Sequence, residues 1–133
     1  MTYSDEQRKL LGEGIDYLER LHSIDIDESK LGDEVIYNLV CLGVEAVFTA
    51  ILLSYDCVID HSGILRLLRE MENQQNKPMP EHWVNTARLM SSFQSYCSLE
   101  VVKIKIPTKD ELKQMFAFGD EVEKLAKEVA AAA

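Results

Sequence analysis

Basic residues, cysteine and proline are all scarce in this chain of 133 residues, and each shortage excludes something. The 14 Lys and Arg against 23 Asp and Glu leave a formal charge of −9. A field of that sign repels phosphate backbones, so non-specific binding to RNA or DNA is not expected. The three cysteines, Cys41, Cys57 and Cys97, are odd in number and widely spaced, with no CxxC pair. Neither a disulfide framework nor a zinc site follows from them. Cys41 and Cys97 fall at apolar helical positions and read as buried thiols. The opening residues, MTYSDEQRKLL, lack a basic region followed by an apolar run, so the expectation is no secretory signal and a reducing cytoplasm. Absent too are a glycine-rich phosphate loop, an HExxH pair, a nucleophile elbow and paired catalytic carboxylates, which leaves no enzyme class and no cofactor indicated. His22, His61 and His82 lie on different elements, and no metal is expected.

What the chain does have is one long apolar stretch, Val35 to Leu53, with a single charge at Glu45. About 20 apolar residues can cross a bilayer. Here the flanks, Asp33 and Glu34 before and Asp56 and Asp60 after, lack the Lys and Arg that orient a spanning helix, and Glu45 would sit near the bilayer centre. The reading is a core helix with no membrane partner. Wound at about 100° per residue, it gathers Glu34, Asn38, Glu45, Thr49 and Asp56 into a sector of roughly 60°. Opposite lie Gly43, Ala46 and Ala50, small enough to admit a neighbouring backbone. The polar seam is either a solvated edge or a groove or interface centred on Glu45.

Around that helix the chain reads as four more. Ser4 and Gln7 form a capping box before Leu10, Leu11, Ile15, Leu18 and Leu21, a first helix over about 5 to 22. Gly12 and Gly14 weaken it by up to about 1 kcal/mol each relative to alanine. An acidic connector, SIDIDESKLGDE, leads to the central helix, which ends near Tyr55 or Asp56. Ile64, Leu67, Leu68 and Met71 make one face of a third helix capped by Asp60 or Ser62. NQQNKPMP is a loop, with Pro80 in the first turn of a fourth helix carrying Trp83, Ala87, Met90, Phe93 and Cys97 to about Ser98. EVVKIKIP alternates apolar and basic residues as a strand does. It is either an extended connector across the bundle or a strand paired with its copy in a second subunit. Thr108 and Glu111 form a second capping box, and Leu112, Met115, Phe116, Val122, Leu125 and Val129 carry a last helix to the alanine-rich end. The expected fold is all-α, a single domain over 1–133 built as a five-helix up-and-down bundle.

GVEAVFTAILLSYD followed by HSGILRLLREM resembles the HEPN domain family of small helical bundles. In that family a Glu within an apolar second helix precedes a His that opens the third, then leucines at helical spacing. Glu45, His61, Leu65 and Leu68 match, and the helix order covers nearly the whole chain. HEPN ribonucleases also carry an Arg followed several residues on by a His, late in the chain. Here Arg88 is followed by LMSSFQSYC, and His82 is the last histidine. Without that imidazole the usual proton carrier for phosphodiester cleavage is missing.

The resemblance therefore implies a non-enzymatic HEPN-like homodimer that binds a nucleotide or a partner protein, with a nucleotidyltransferase as the candidate partner. Candidate ligand-binding residues are Asn38, Glu45, Thr49, His61, Arg66 and Arg88, with none catalytic. Glu45 is expected to pair with Arg66, Arg69 or Arg88 in a polar centre of the bundle. The alternatives are a divergent ribonuclease or toxin using Tyr96 or His82, and a purely structural dimerisation scaffold.

Overall fold

Two capping boxes set where the first and last helices begin. Gln7 N–H donates to Ser4 Oγ at 3.1 Å and Ser4 N–H to Gln7 Oε1 at 2.9 Å, which opens α1 (Asp5–Arg20). Thr108 N–H donates to Glu111 Oε1 at 2.9 Å and Glu111 N–H to Thr108 Oγ1 at 3.2 Å, which opens α5 (Lys109–Ala132). Each box satisfies two backbone donors that the first turn leaves without partners. Between them lie α2 (Asp33–Leu52), α3 (Ile64–Gln75) and α4 (Glu81–Gln94), and a short 3₁₀ turn, Leu21–Ser23, follows α1. The computed structural model describes residues 3–55, 63–94 and 106–132, and among these the protein is an all-α bundle with no strand. The caps expected at Asp60 or Ser62, the thiols of Cys57 and Cys97, and the alternating stretch up to residue 105 lie outside the described residues.

Both ends of α3 are set by unusual backbone. Gly63 precedes it with φ 139°, a conformation that a Cβ strongly disfavours. Asn76 closes it in the left-handed region at φ 52°, where Asn is among the better tolerated residues. The first three residues of the polar NQQN run are thus helical, and the loop begins only after Gln75. Glu72 then ties that loop down, accepting from Arg69 Nη1 and from Met79 N–H, both at 2.8 Å. The Arg69 guanidinium first, and the Met79 amide second, hold the Glu72 carboxyl below its usual range.

Side-chain contacts give the helix directions. Gln7, buried at the start of α1, donates to Ala50 O and Ser54 Oγ beyond the end of α2, so these two helices are antiparallel. Trp83 meets Phe48, while Tyr37 donates to Met90 O at 2.7 Å and packs edge-on against Phe93, so α4 also opposes α2. Leu65 N–H reaches Ser91 Oγ and Met79 returns to Glu72, which makes α3 and α4 a hairpin and sets α3 in the same sense as α2. Lys127 with Glu19 and Lys113 with Asp27 align α5 against α1.

The α1–α2 crossing is the closest approach in the bundle. A Cβ on Gly14 would stand 2.7 Å from Val47 Cγ2 and 3.1 Å from both Gly43 O and Val47 N. One on Gly43 would stand 2.7 Å from Leu18 Cγ and Cδ2. Glycine on both helices is what lets the backbones meet. The core beside this seam is aromatic: Phe48, Trp83 and Phe118 pack with ring centroids 5.5–6.2 Å apart. Leu18, Ile36, Val40, Leu52, Leu68, Met71, Met90 and Met115 fill the space around them, all buried.

Candidate functional site

The central helix α2 is enclosed by α1, α3, α4 and α5 and open along one side. It is long and apolar enough to cross a membrane, but 61% of its most apolar window is buried inside the fold, as a core helix requires. Its open side is the candidate site. Glu34 and Asn38 are exposed there and Glu45 and Thr49 half-buried, while Asp56 lies outside the described residues.

The strip is not the thin hydrophilic seam that the sequence suggested. Val35, Leu42 and Leu53 are 48%, 47% and 39% exposed, and Leu31, just ahead of the helix, is 45% exposed. The physical reason is angular. At about 100° per residue, Leu42 lies only ~20° from Thr49, and Val35 and Leu53 only ~20° farther round. Neighbouring helices cover the remaining arc and stop short of these three. Three large apolar residues on one side of a helix, with a fourth exposed just ahead of it, exceed the scattered exposure normal for a surface.

The six candidate residues are spread over three helices and the segment before α3. Asn38, Glu45 and Thr49 share the open strip, Arg66 and Arg88 are exposed on α3 and α4, and His61 lies outside the described residues. The centre of the bundle is occupied by Phe48, Trp83 and Phe118 rather than by Glu45. Arg69 is engaged with Glu72. Immediately inside the strip, Cys41 is buried. Burial pushes its thiol up to about 12, opposed by a hydrogen bond with Tyr37 and helped by the nearby Glu45 carboxylate. A thiol so rarely ionised is inert.

His82, the one described histidine that could serve a divergent ribonuclease at the late part of the chain, stands on the rim of a shallow cavity of about 220 Å³ between α4 and α5. Its Nε2 lies 2.9 and 3.0 Å from the two Glu121 oxygens, and Asn85, Thr86 and Gln114 line the same cavity. Arg88 is six residues on, roughly 240° round the helix, and so faces elsewhere. Tyr96 lies outside the described residues.

The apolar members of the strip are what sequence reading missed. Their signal was present in the spacing: 35, 38, 42, 46, 49 and 53 step along one face of a helix, so Ala46, expected opposite the polar residues, belongs beside Leu42 instead, and Leu31 precedes Val35 by a further four residues. Set against models of protein families, characterised proteins and solved structures, the chain matches none.

Proposed function

We propose that this protein is a non-enzymatic, HEPN-like interaction module that works as a homodimer joined along the open strip of α2. The observation that carries the reading is the strip's symmetry. Its members, Leu31, Val35, Asn38, Leu42, Ala46, Thr49 and Leu53, are separated by intervals of 4, 3, 4, 4, 3 and 4 residues, which read the same in either direction about Leu42.

A two-fold interface places one surface against itself, so the surface must be self-complementary. Antiparallel pairing about Leu42 sets Leu42 on its own copy and Leu31 on Leu53. It sets Val35 on Thr49, which has nearly the same shape, and Asn38 on the small Ala46. Glu34 and Glu45 fall on the flank, with Glu45 shifted about 9 Å along the axis from its copy at 1.5 Å per residue. Like charges are thereby kept apart.

Burying the exposed half of each large apolar side chain yields about 1 kcal/mol, roughly 8 kcal/mol over two copies. That is of the same size as the about 4–15 kcal/mol cost of association. The expected dimer is therefore weak, with a Kd of about millimolar at the low end of that cost. With each copy carrying −9, added salt should strengthen it. In a HEPN setting such a dimer is the platform that a nucleotidyltransferase would engage.

Sedimentation equilibrium tests the reading. The wild type should be partly dimeric near millimolar protein, and Leu42→Glu monomeric with an unchanged circular dichroism spectrum. A wild type that stays monomeric in high salt overturns it. RNA cleavage by the purified protein, lost in Arg88→Ala, would overturn the non-enzymatic half and favour the divergent ribonuclease.

A further inference from the structure

Away from α2, the 3₁₀ turn at Leu21–Ser23 delivers His22 to the flank of α5. Asp120 and Glu123, three apart on α5, share the face it meets. His22 Nε2 stands 2.7 Å from Glu123 Oε1 and 3.6 Å from Asp120 Oδ1. One ligand atom from each of the three residues falls within 4.8 Å of the others.

Glu123 is the unusual member. Its side chain is only 6% exposed, and a carboxylate so buried needs both oxygens partnered. Oε2 has Lys127 Nζ at 2.8 Å, an ammonium that also reaches Glu19 Oε1 at 3.2 Å and whose pKa is raised by these contacts. Oε1 is buried and accepts no hydrogen bond. The imidazole nitrogen is close to it but not aligned to donate. Close approach without alignment is the arrangement of two groups aimed at a common third point. Metal ligands at about 2.0–2.2 Å from an ion stand roughly 3–3.5 Å from one another, between the two distances from His22. His22 and Asp120 are both more than half exposed, free to adjust by a few tenths of an ångström.

We propose that His22, Asp120 and Glu123 bind a divalent transition metal, of which zinc is the type, in the cleft between the 3₁₀ turn and α5. The two carboxylates neutralise a dication. The imidazole selects zinc or a similar ion over magnesium and calcium, which prefer all-oxygen sites. Three protein ligands leave a fourth position open to the concavity of about 470 Å³ that these residues line with Lys124. Bound there, the ion clips the end of α1 to the middle of α5.

The test is calorimetric titration of the full chain with zinc chloride, with melting curves alongside. About one equivalent should bind and raise the melting temperature, magnesium at the same concentration should not, and the cobalt form should show nitrogen and oxygen ligation without thiolate charge transfer. His22→Ala should lose that equivalent, Asp120→Asn should weaken it at least about tenfold, and His82→Ala should keep it. No zinc heat in the wild type, zinc retained at full strength by His22→Ala, a thiolate band in the cobalt form, or an equal shift with magnesium would each overturn the assignment.

Discussion

The two sides of α2 answer the same problem in opposite ways. On the α1 side, Gly14 and Gly43 bring two backbones together, with no room for even a methyl group between them. On the outer side, Val35, Leu42 and Leu53 stand open with polar residues between them. The difference teaches that apolar content alone does not say what a helix face packs against. Small residues at a crossing mark a contact completed within the chain, whereas large exposed ones at helical spacing mark a face that the chain itself does not cover.

Breaking the inner side should have the largest effects. Phe48→Ala removes the ring shared by Trp83 and Phe118 and should cost about 3–5 kcal/mol in denaturant unfolding. Gly14→Ala forces a methyl onto Val47 and the Gly43 carbonyl and should cost about 1–3 kcal/mol. Gly12, two residues away, meets nothing within 4 Å, so Gly12→Ala should instead stabilise by about 0.5–1 kcal/mol. Opposite signs from two neighbouring glycines would sharpen the comparison, and equal signs would break it.

The outer side should respond differently. Leu42→Glu should change the stability of the folded monomer by less than about 0.5 kcal/mol while abolishing the dimer. A large loss of stability would mean that Leu42 packs within its own chain. Outside both faces, Glu72 supplies a small pH-dependent baseline. Its pKa is lowered on folding, so its contribution is present above the unfolded value of about 4.3 and lost as pH falls through the folded one. The stability difference between wild type and Glu72→Gln should therefore shrink in acid, as pH-dependent melting would show.

The elements legible in the sequence are those fixed by neighbours in the chain. Ser4 with Gln7 and Thr108 with Glu111 act across three residues, and both boxes form where the spacing put them. The buried face of α3, Ile64, Leu67, Leu68 and Met71, needs only a helical period to be seen. Less legible was anything that depends on which helices pack where. The polar residues of α2 stood out by chemistry, but the extent of the open arc is decided by the helices packed around it, α1, α3, α4 and α5. Gly14 reads locally as a penalty on α1 and becomes a contact only when α2 is beside it. Phe118 drew no notice and lies at the middle of the core, because its partners Phe48 and Trp83 come from two other helices. His22 and Glu123 are separated by most of the chain, with no motif linking them.

The proposed homodimer requires the outer strip of α2 to meet a second copy of itself. Methyl NMR on leucine- and valine-labelled protein across a dilution series addresses this most directly. The methyls of Leu31, Val35, Leu42 and Leu53 should shift together with concentration while those of Leu11 and Leu68, deep in the core, stay fixed. Strip methyls that hold their positions from micromolar to millimolar protein would contradict it.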